Sequence, residues 1–79
     1  NRANLAKANF QAANLSDANL FGANLTAATL TAANLSNVNL SGADLTLATL
    51  QDADIEGAVL EGATLNQTVM PDGTVRTEA

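Results

Sequence analysis

The chain has no cysteine, tryptophan, tyrosine or histidine, and each absence closes off some chemistry. Without cysteine there are no disulfides, no thiolate metal site, no zinc finger and no thiol nucleophile, and the redox compartment is left unmarked. Without histidine or tyrosine, catalysis would rest on carboxylates, hydroxyls and Lys7, and no nucleophile and base stand at a recognisable spacing. The reading is therefore not an enzyme, with no cofactor and no catalytic residue. Long apolar runs are missing too: Asn, Thr, Asp or Gly interrupts every short stretch, so nothing approaches the roughly 20 residues of a membrane span. The chain reads as soluble. It begins at Asn1 without a basic and apolar leader, already in register with the residues after it, and so reads as a cut or processed chain whose compartment is unknown.

Positive charge is the next scarcity. Arg2 and Lys7 lie at one end, Arg76 at the other, and no Lys or Arg falls between Lys7 and Arg76. That interval holds Asp17, Asp44, Asp52, Asp54, Glu56, Glu61 and Asp72, and the net charge is −5. Direct binding of nucleic acid needs a basic stripe, and this distribution is the reverse. The expected partner is a protein of unknown identity.

What the chain has in abundance is alanine, leucine and asparagine at a fixed beat. From Leu5 to Met70 every fifth residue is large and apolar, and the residue two before it is alanine except at Val38 and Thr68. An α-helix turns about 100° per residue, so five residues advance about 500° and scatter the leucines around the cylinder. In a flat strand an odd spacing throws successive leucines to opposite faces. The inward positions Ala3, Leu5, Ala8, Phe10, Ala13 and Leu15 are instead spaced two, three, two, three. A step of two stays on one face of a strand; the extra residue turns a corner. Corners near 90° would close the coil after four units, a number the period alone does not force. With 79 residues and only Phe10 and Phe21 aromatic, one small linear solenoid suits the composition better than a globule.

The run AANLSDANLFGANLTAATLTAANLSNVNLSGADLTLAT resembles the pentapeptide-repeat family, and the likeness extends from Ala3 to about Met70. The resemblance implies an all-β fold, a right-handed quadrilateral parallel β-helix with four pentapeptides in each coil of 20 residues, hence about three and a half coils. Its central residue maps onto Leu5, Phe10, Leu15, Leu20, Leu25, Leu30, Leu35, Leu40, Leu45, Leu50, Ile55, Leu60, Leu65 and Met70, the expected core stack. Such a coil stacks Gly22, Gly42 and Gly62 at one corner. The repeat domain is assigned to residues 1–70. Residues 71–79 are assigned to a turn and tail that cap it, because Pro71-Asp72-Gly73 is a turn signal. A Met-Pro-Asp-Gly ending resembles that of bacterial, notably cyanobacterial, members. No comparable cap precedes Ala3, so the expectation is either that an N-terminal lid has been removed or that the first coil, with Phe10, is left half open and invites end-to-end self-association.

Several residues imitate functional motifs. Asp52, Asp54, Glu56 and Gly57 stand at positions one, three, five and six of an EF-hand loop, but position twelve is Ala63, so a weak cation site at Asp52, Asp54 and Glu56 is what remains. Sequons such as Asn14-Leu15-Ser16 arise from the repeat alone. Asn4, Asn9, Asn14, Asn19, Asn24, Asn34 and Asn39, then Asp44 and Asp54, precede central residues, where short polar side chains bond local backbone or stack between coils. Phe21, Leu47 and Glu61 are candidate surface contacts, with Phe21 and Leu47 on different corners.

These features point to a non-catalytic structural or protein-interaction module. The alternative, drawn from the resemblance, is a DNA mimic that protects or inhibits a DNA-binding enzyme such as gyrase. DNA carries one charge per ~1.7 Å, so a solenoid of about 17 Å would want about ten negative charges, and this chain nets five. The gyrase-binding members also join at their C-termini, and the tail from Thr74 to Ala79 reads as having no apolar surface for that.

Overall fold

The computed structural model describes residues 3–77; Arg2, in the basic N-terminal pair, and Glu78 and Ala79, in the tail, lie outside the described residues. No described residue is helical. The backbone is organised by isolated parallel bridges, each joining residues twenty apart. They fall into four ladders: Asn4, Asn24, Asp44 and Thr64; Asn9, Thr29, Thr49 and Val69; Asn14, Asn34 and Asp54; Asn19, Asn39 and Val59. The chain thus passes through each ladder once in every four pentapeptides.

One pentapeptide shows why the sequence does this. Asn24 donates its N–H to the Ala3 carbonyl at 2.8 Å, Leu25 donates to Asp44 at 2.8 Å and Ala27 to Thr46 at 2.8 Å. Three donors therefore go to neighbouring passes of the chain. The next N–H, that of Ala28, closes a turn on the Leu25 carbonyl at 3.0 Å. The third residue of that turn has φ above zero, the mark of a type II turn, and this holds at the same place in every pentapeptide from Lys7 to Gln67. Asparagine before the leucine supports the turn: Asn24 Oδ1 accepts the Thr26 N–H at 3.0 Å and the Thr26 hydroxyl at 2.6 Å. The same capping recurs at Asn9, Asn14, Asn19, Asn34, Asn39, Asp44 and Asp54. A direct amide contact between successive asparagines occurs at Asn24 and Asn4, at 3.5 Å. Asparagine here is chiefly a local turn former.

Glycine replaces the positive-φ residue in some turns, and two of them differ in an instructive way. A Cβ on Gly42 would meet nothing nearer than the Gly22 Cα at 4.0 Å, whereas one on Gly57 would collide with Asn37 Oδ1 and lie 3.3 Å from Asn37 Cγ. Ala12, Ala27 and Ala32 hold the same conformation natively, at φ of 60 to 61°. Gly42→Ala is therefore expected to change stability by about 1 kcal/mol or less. Gly57→Ala should cost up to about 1 kcal/mol more, the cost of turning the exposed Asn37 side chain aside, and adding Asn37→Ala should remove that difference. Thermal denaturation of the three variants reads this directly; equal costs at Gly42 and Gly57 would refute the packing argument.

The core lies inside the turns. Leu25, Leu30, Leu35, Leu40, Leu45, Leu50, Leu65 and Met70 are buried, with alanines from Ala23 to Ala63 between them. Each fully buried leucine contributes ~1.5–3 kcal/mol of gross burial. Toward the two ends the stack is half-buried: Leu5, Phe10, Leu15 and Leu20 at one, Ile55 and Leu60 at the other. Both departures from alanine are fully buried as well. Val38 sits among the core apolar residues, and the Thr68 hydroxyl donates to the Leu45 carbonyl at 2.6 Å. The molecule measures 25 × 21 × 21 Å, a block nearly as wide as it is long.

After Met70 the chain reverses. Strand β1, Thr68–Val69, pairs antiparallel with β2, Val75–Arg76, so that Val69 faces Val75 and Thr68 faces Arg76. The Gly73 N–H donates to the Met70 carbonyl at 2.8 Å, and the Met70 N–H to Thr74 at 2.7 Å. The proline turn is thus the bend of a hairpin folded back against the last pass of the Thr49 ladder.

Candidate interaction surface

The ladder residues have outward side chains, and the four rows differ in chemistry. In two of them carboxylates replace asparagine. Asp44 accepts both the N–H and the hydroxyl of Thr46, and Asp54 accepts the Glu56 N–H at 3.0 Å, so each is tied to its own turn. Asp52 and Glu56 are exposed on the turns either side of Asp54. Among the described residues, no group of three acidic side chains is placed to hold a metal ion together.

Phe21 and Glu61 are exposed on turns that stack in one column, and Leu47 is exposed on another, with 42 % of Phe21 and 55 % of Leu47 accessible. The structure does not bring Phe21 and Leu47 together. It does bring Leu47 beside the row Asn9, Thr29, Thr49 and Val69, because Leu47 lies on the turn that enters this row at Thr49. The hairpin then adds Val75, 58 % exposed, directly alongside Val69. This corrects the reading of the tail as lacking apolar surface. Val69 and Val75 stand symmetrically about Asp72 in the sequence, and that symmetry around a turn signal was the clue to a paired strand. Val59, 44 % exposed, ends a different row.

Of the two rows without an ionisable side chain, the one through Thr49 is the longer, β-branched over most of its length and flanked by exposed apolar groups. Its borders are charged: Lys7 at one end, Asp52 and Asp72 along the far turns. An open hollow of about 320 Å³ lies at the end of the stack, between Ile55, Met70, Pro71, Asp72, Thr74 and Arg76.

Asp72 holds the hairpin bend. The Thr74 hydroxyl donates to its carboxylate at 2.6 Å and the Thr74 N–H at 3.0 Å, and these two bonds hold its pKa below the ordinary aspartate value. A carboxylate with a depressed folded pKa stabilises above its unfolded value, and that contribution is lost as pH falls through the folded one. Acidification below about pH 4 is therefore expected to shift the Thr74 amide resonance. Asp72→Asn, which keeps the acceptor oxygen, should make that resonance insensitive to pH; persistence of the titration in the variant would assign it elsewhere.

The pentapeptide-repeat family matches the chain in eight copies, over residues 1–37 and 28–67. No curated protein is significantly similar to it. Among solved structures, the pentapeptide repeat protein Rfr23 from the cyanobacterium Cyanothece 51142 shares 41% identity at a TM-score of 0.55. That match covers 87% of this chain and 44% of Rfr23. A pentapeptide repeat protein of the Arabidopsis thaliana thylakoid lumen shares 28% identity at a TM-score of 0.54, over 92% of this chain and 61% of that one. The chain thus spans less than two thirds of either protein. Together with the parallel ladders, these likenesses imply a right-handed β-helix, and proteins built from such repeats are generally structural and interaction modules. The chain belongs to the pentapeptide-repeat family.

Proposed function

We propose that the chain is a non-catalytic protein-interaction module whose β-helix presents flat rows of side chains to a protein partner. The observation that carries this reading is the uncharged row of Thr29, Thr49, Val69 and Val75 with Leu47 at its flank. Exposed apolar surface of this kind marks contact sites. On this reading the repeat domain, residues 1–70, is a four-sided coil with one ladder per side and about three and a half coils, supported by the twenty-residue register. Residues 71–79 act as a cap, since the hairpin covers the edge at β1. Half-buried Leu5, Phe10, Leu15 and Leu20 would be covered by a further coil, from a second copy stacked end to end or from a longer chain. Neither catalysis nor direct nucleic-acid binding forms part of this role, and the acidic surface argues against the latter.

The test is capture of a partner on immobilised protein, using parent chain beside Leu47→Lys and Val75→Lys. A protein retained by the parent and lost by both variants, with circular dichroism unchanged, supports the reading. A protein retained equally by all three places the contact elsewhere. Protection of gyrase supercoiling from a quinolone at stoichiometric protein would overturn it in favour of the DNA-mimic alternative.

A further inference from the structure

We propose that a partner of this surface is a second copy of the chain, docked side to side through the row Asn9, Thr29, Thr49, Val69 and Val75 on a two-fold axis that passes at Thr49. The inference rests on the interaction-module reading and names an occupant for the same row.

Charge selects the face. Each copy carries a net charge of −5, so two copies repel except where the approaching surfaces are neutral. This row holds no ionisable side chain, whereas the rows through Asp44 and Asp54 would each carry a carboxylate from both copies into the contact. The remaining row, Asn19, Asn39 and Val59, is also neutral, but it is shorter and lies beside the turns that carry Phe21 and Glu61.

Geometry fits the row to itself. Its side chains repeat at the strand spacing of ~4.8 Å in both copies, and facing sheets pack ~10 Å apart. With the axis across the middle of five positions, Thr49 meets its mate, Thr29 meets Val69 and Asn9 meets Val75, while Leu47 at the flank meets the other Leu47. Exposed leucine thereby finds apolar cover at the flank, level with the middle of the row. The same operation sets Asp52 near its mate at the rim, on an exposed turn where salt screens the repulsion.

Size sets the strength. A side no larger than 25 × 21 Å offers at most roughly 500 Å² per copy, below the ~800 Å² of a standard specific interface. The contact therefore falls in the size class of weak, transient associations.

Sedimentation velocity and two-dimensional NMR of the chain from micromolar to millimolar concentration test this. The expected result is a monomer–dimer equilibrium, tightened by added salt and by Asp52→Asn, with concentration-dependent shifts centred on Thr29, Thr49, Val69 and Val75. Leu47→Lys and Val75→Lys should each weaken association at least tenfold, and Phe21→Lys should leave it unchanged. Folding does not confound the first of these, because Lys7 already occupies the same turn position at the same φ of 64° as Leu47. A monomer at all concentrations, shifts centred on Leu5 to Leu20, or loss of association in Phe21→Lys alone would overturn the proposal. Capture of a different protein through Leu47 and Val75 by a monomeric chain would sink the dimer and leave the module reading standing.

Discussion

Leu40→Ala is expected to destabilise the protein by about 3–5 kcal/mol, a large part of the total for a domain of this size. Leu40 is fully buried, and the twenty-residue register stacks it between Leu20 and Leu60. The loss is large because the surrounding coil cannot collapse into the void. Leu40 donates to Val59 at 2.8 Å, Asn39 to Ala18 at 3.0 Å and Gly42 to Glu61 at 3.0 Å, so the backbone around the missing side chain stays pinned. Leu5→Ala removes a half-buried side chain next to a single neighbouring pass and should cost about 1 kcal/mol. Thermal denaturation should separate the two by roughly 10–25 °C. Similar shifts would mean that the end of the stack is as tightly packed as its middle.

The second large effect comes from adding bulk where the repeat demands none. Ala43 is fully buried in the inward row of Ala3, Ala23, Ala43 and Ala63. Ala43→Leu inserts three carbons into that row, and overpacking of this kind costs ~1–3 kcal/mol or more. Here the upper end is expected, because Asp44 donates to Ala23 at 2.9 Å and Thr64 to Ala43 at 2.8 Å, fixing the distance between passes. Ala43→Val should be milder. Val38 occupies the equivalent position between Ala18 and Ala58, fully buried, while its neighbours keep their bonds: Asn39 to Ala18 at 3.0 Å and Val59 to Val38 at 2.9 Å. Urea titrations followed by circular dichroism compare the two; equal midpoints would show that the alanine row is less confined than the bonds imply.

The part of this structure that the chain announces is the part built by repetition. The beat of Ala, Asn and Leu recurs in the backbone because each pentapeptide with a pass on both sides, from the one beginning at Asn24 to the one beginning at Thr49, makes the same three ladder bonds and the same turn. Its limits were equally physical. A periodic pattern cannot say how much of each central residue is covered, which depends on the passes stacked above and below it; hence Leu5 and Leu60 are half-buried while Leu40 is not. Nor could it give asparagine its role. Side chains at a twenty-residue spacing read equally well as a stack or as turn caps, and distances decide for the caps. The candidate surface was least legible. It combines a residue of the repeat, Leu47, with one from beyond it, Val75, and they meet only because a hairpin folds back onto the last pass.

The constant separation of twenty residues between bonded passes also governs how the protein would come apart under tension. Pulled at its ends, the molecule can release its outermost pass without disturbing those within, because each pass is bonded only to the next. Every such event would free about twenty residues and lengthen the tether by roughly 60–70 Å. An optical trap should therefore record a short staircase of near-equal steps in place of one rupture, as a spool gives up thread one winding at a time.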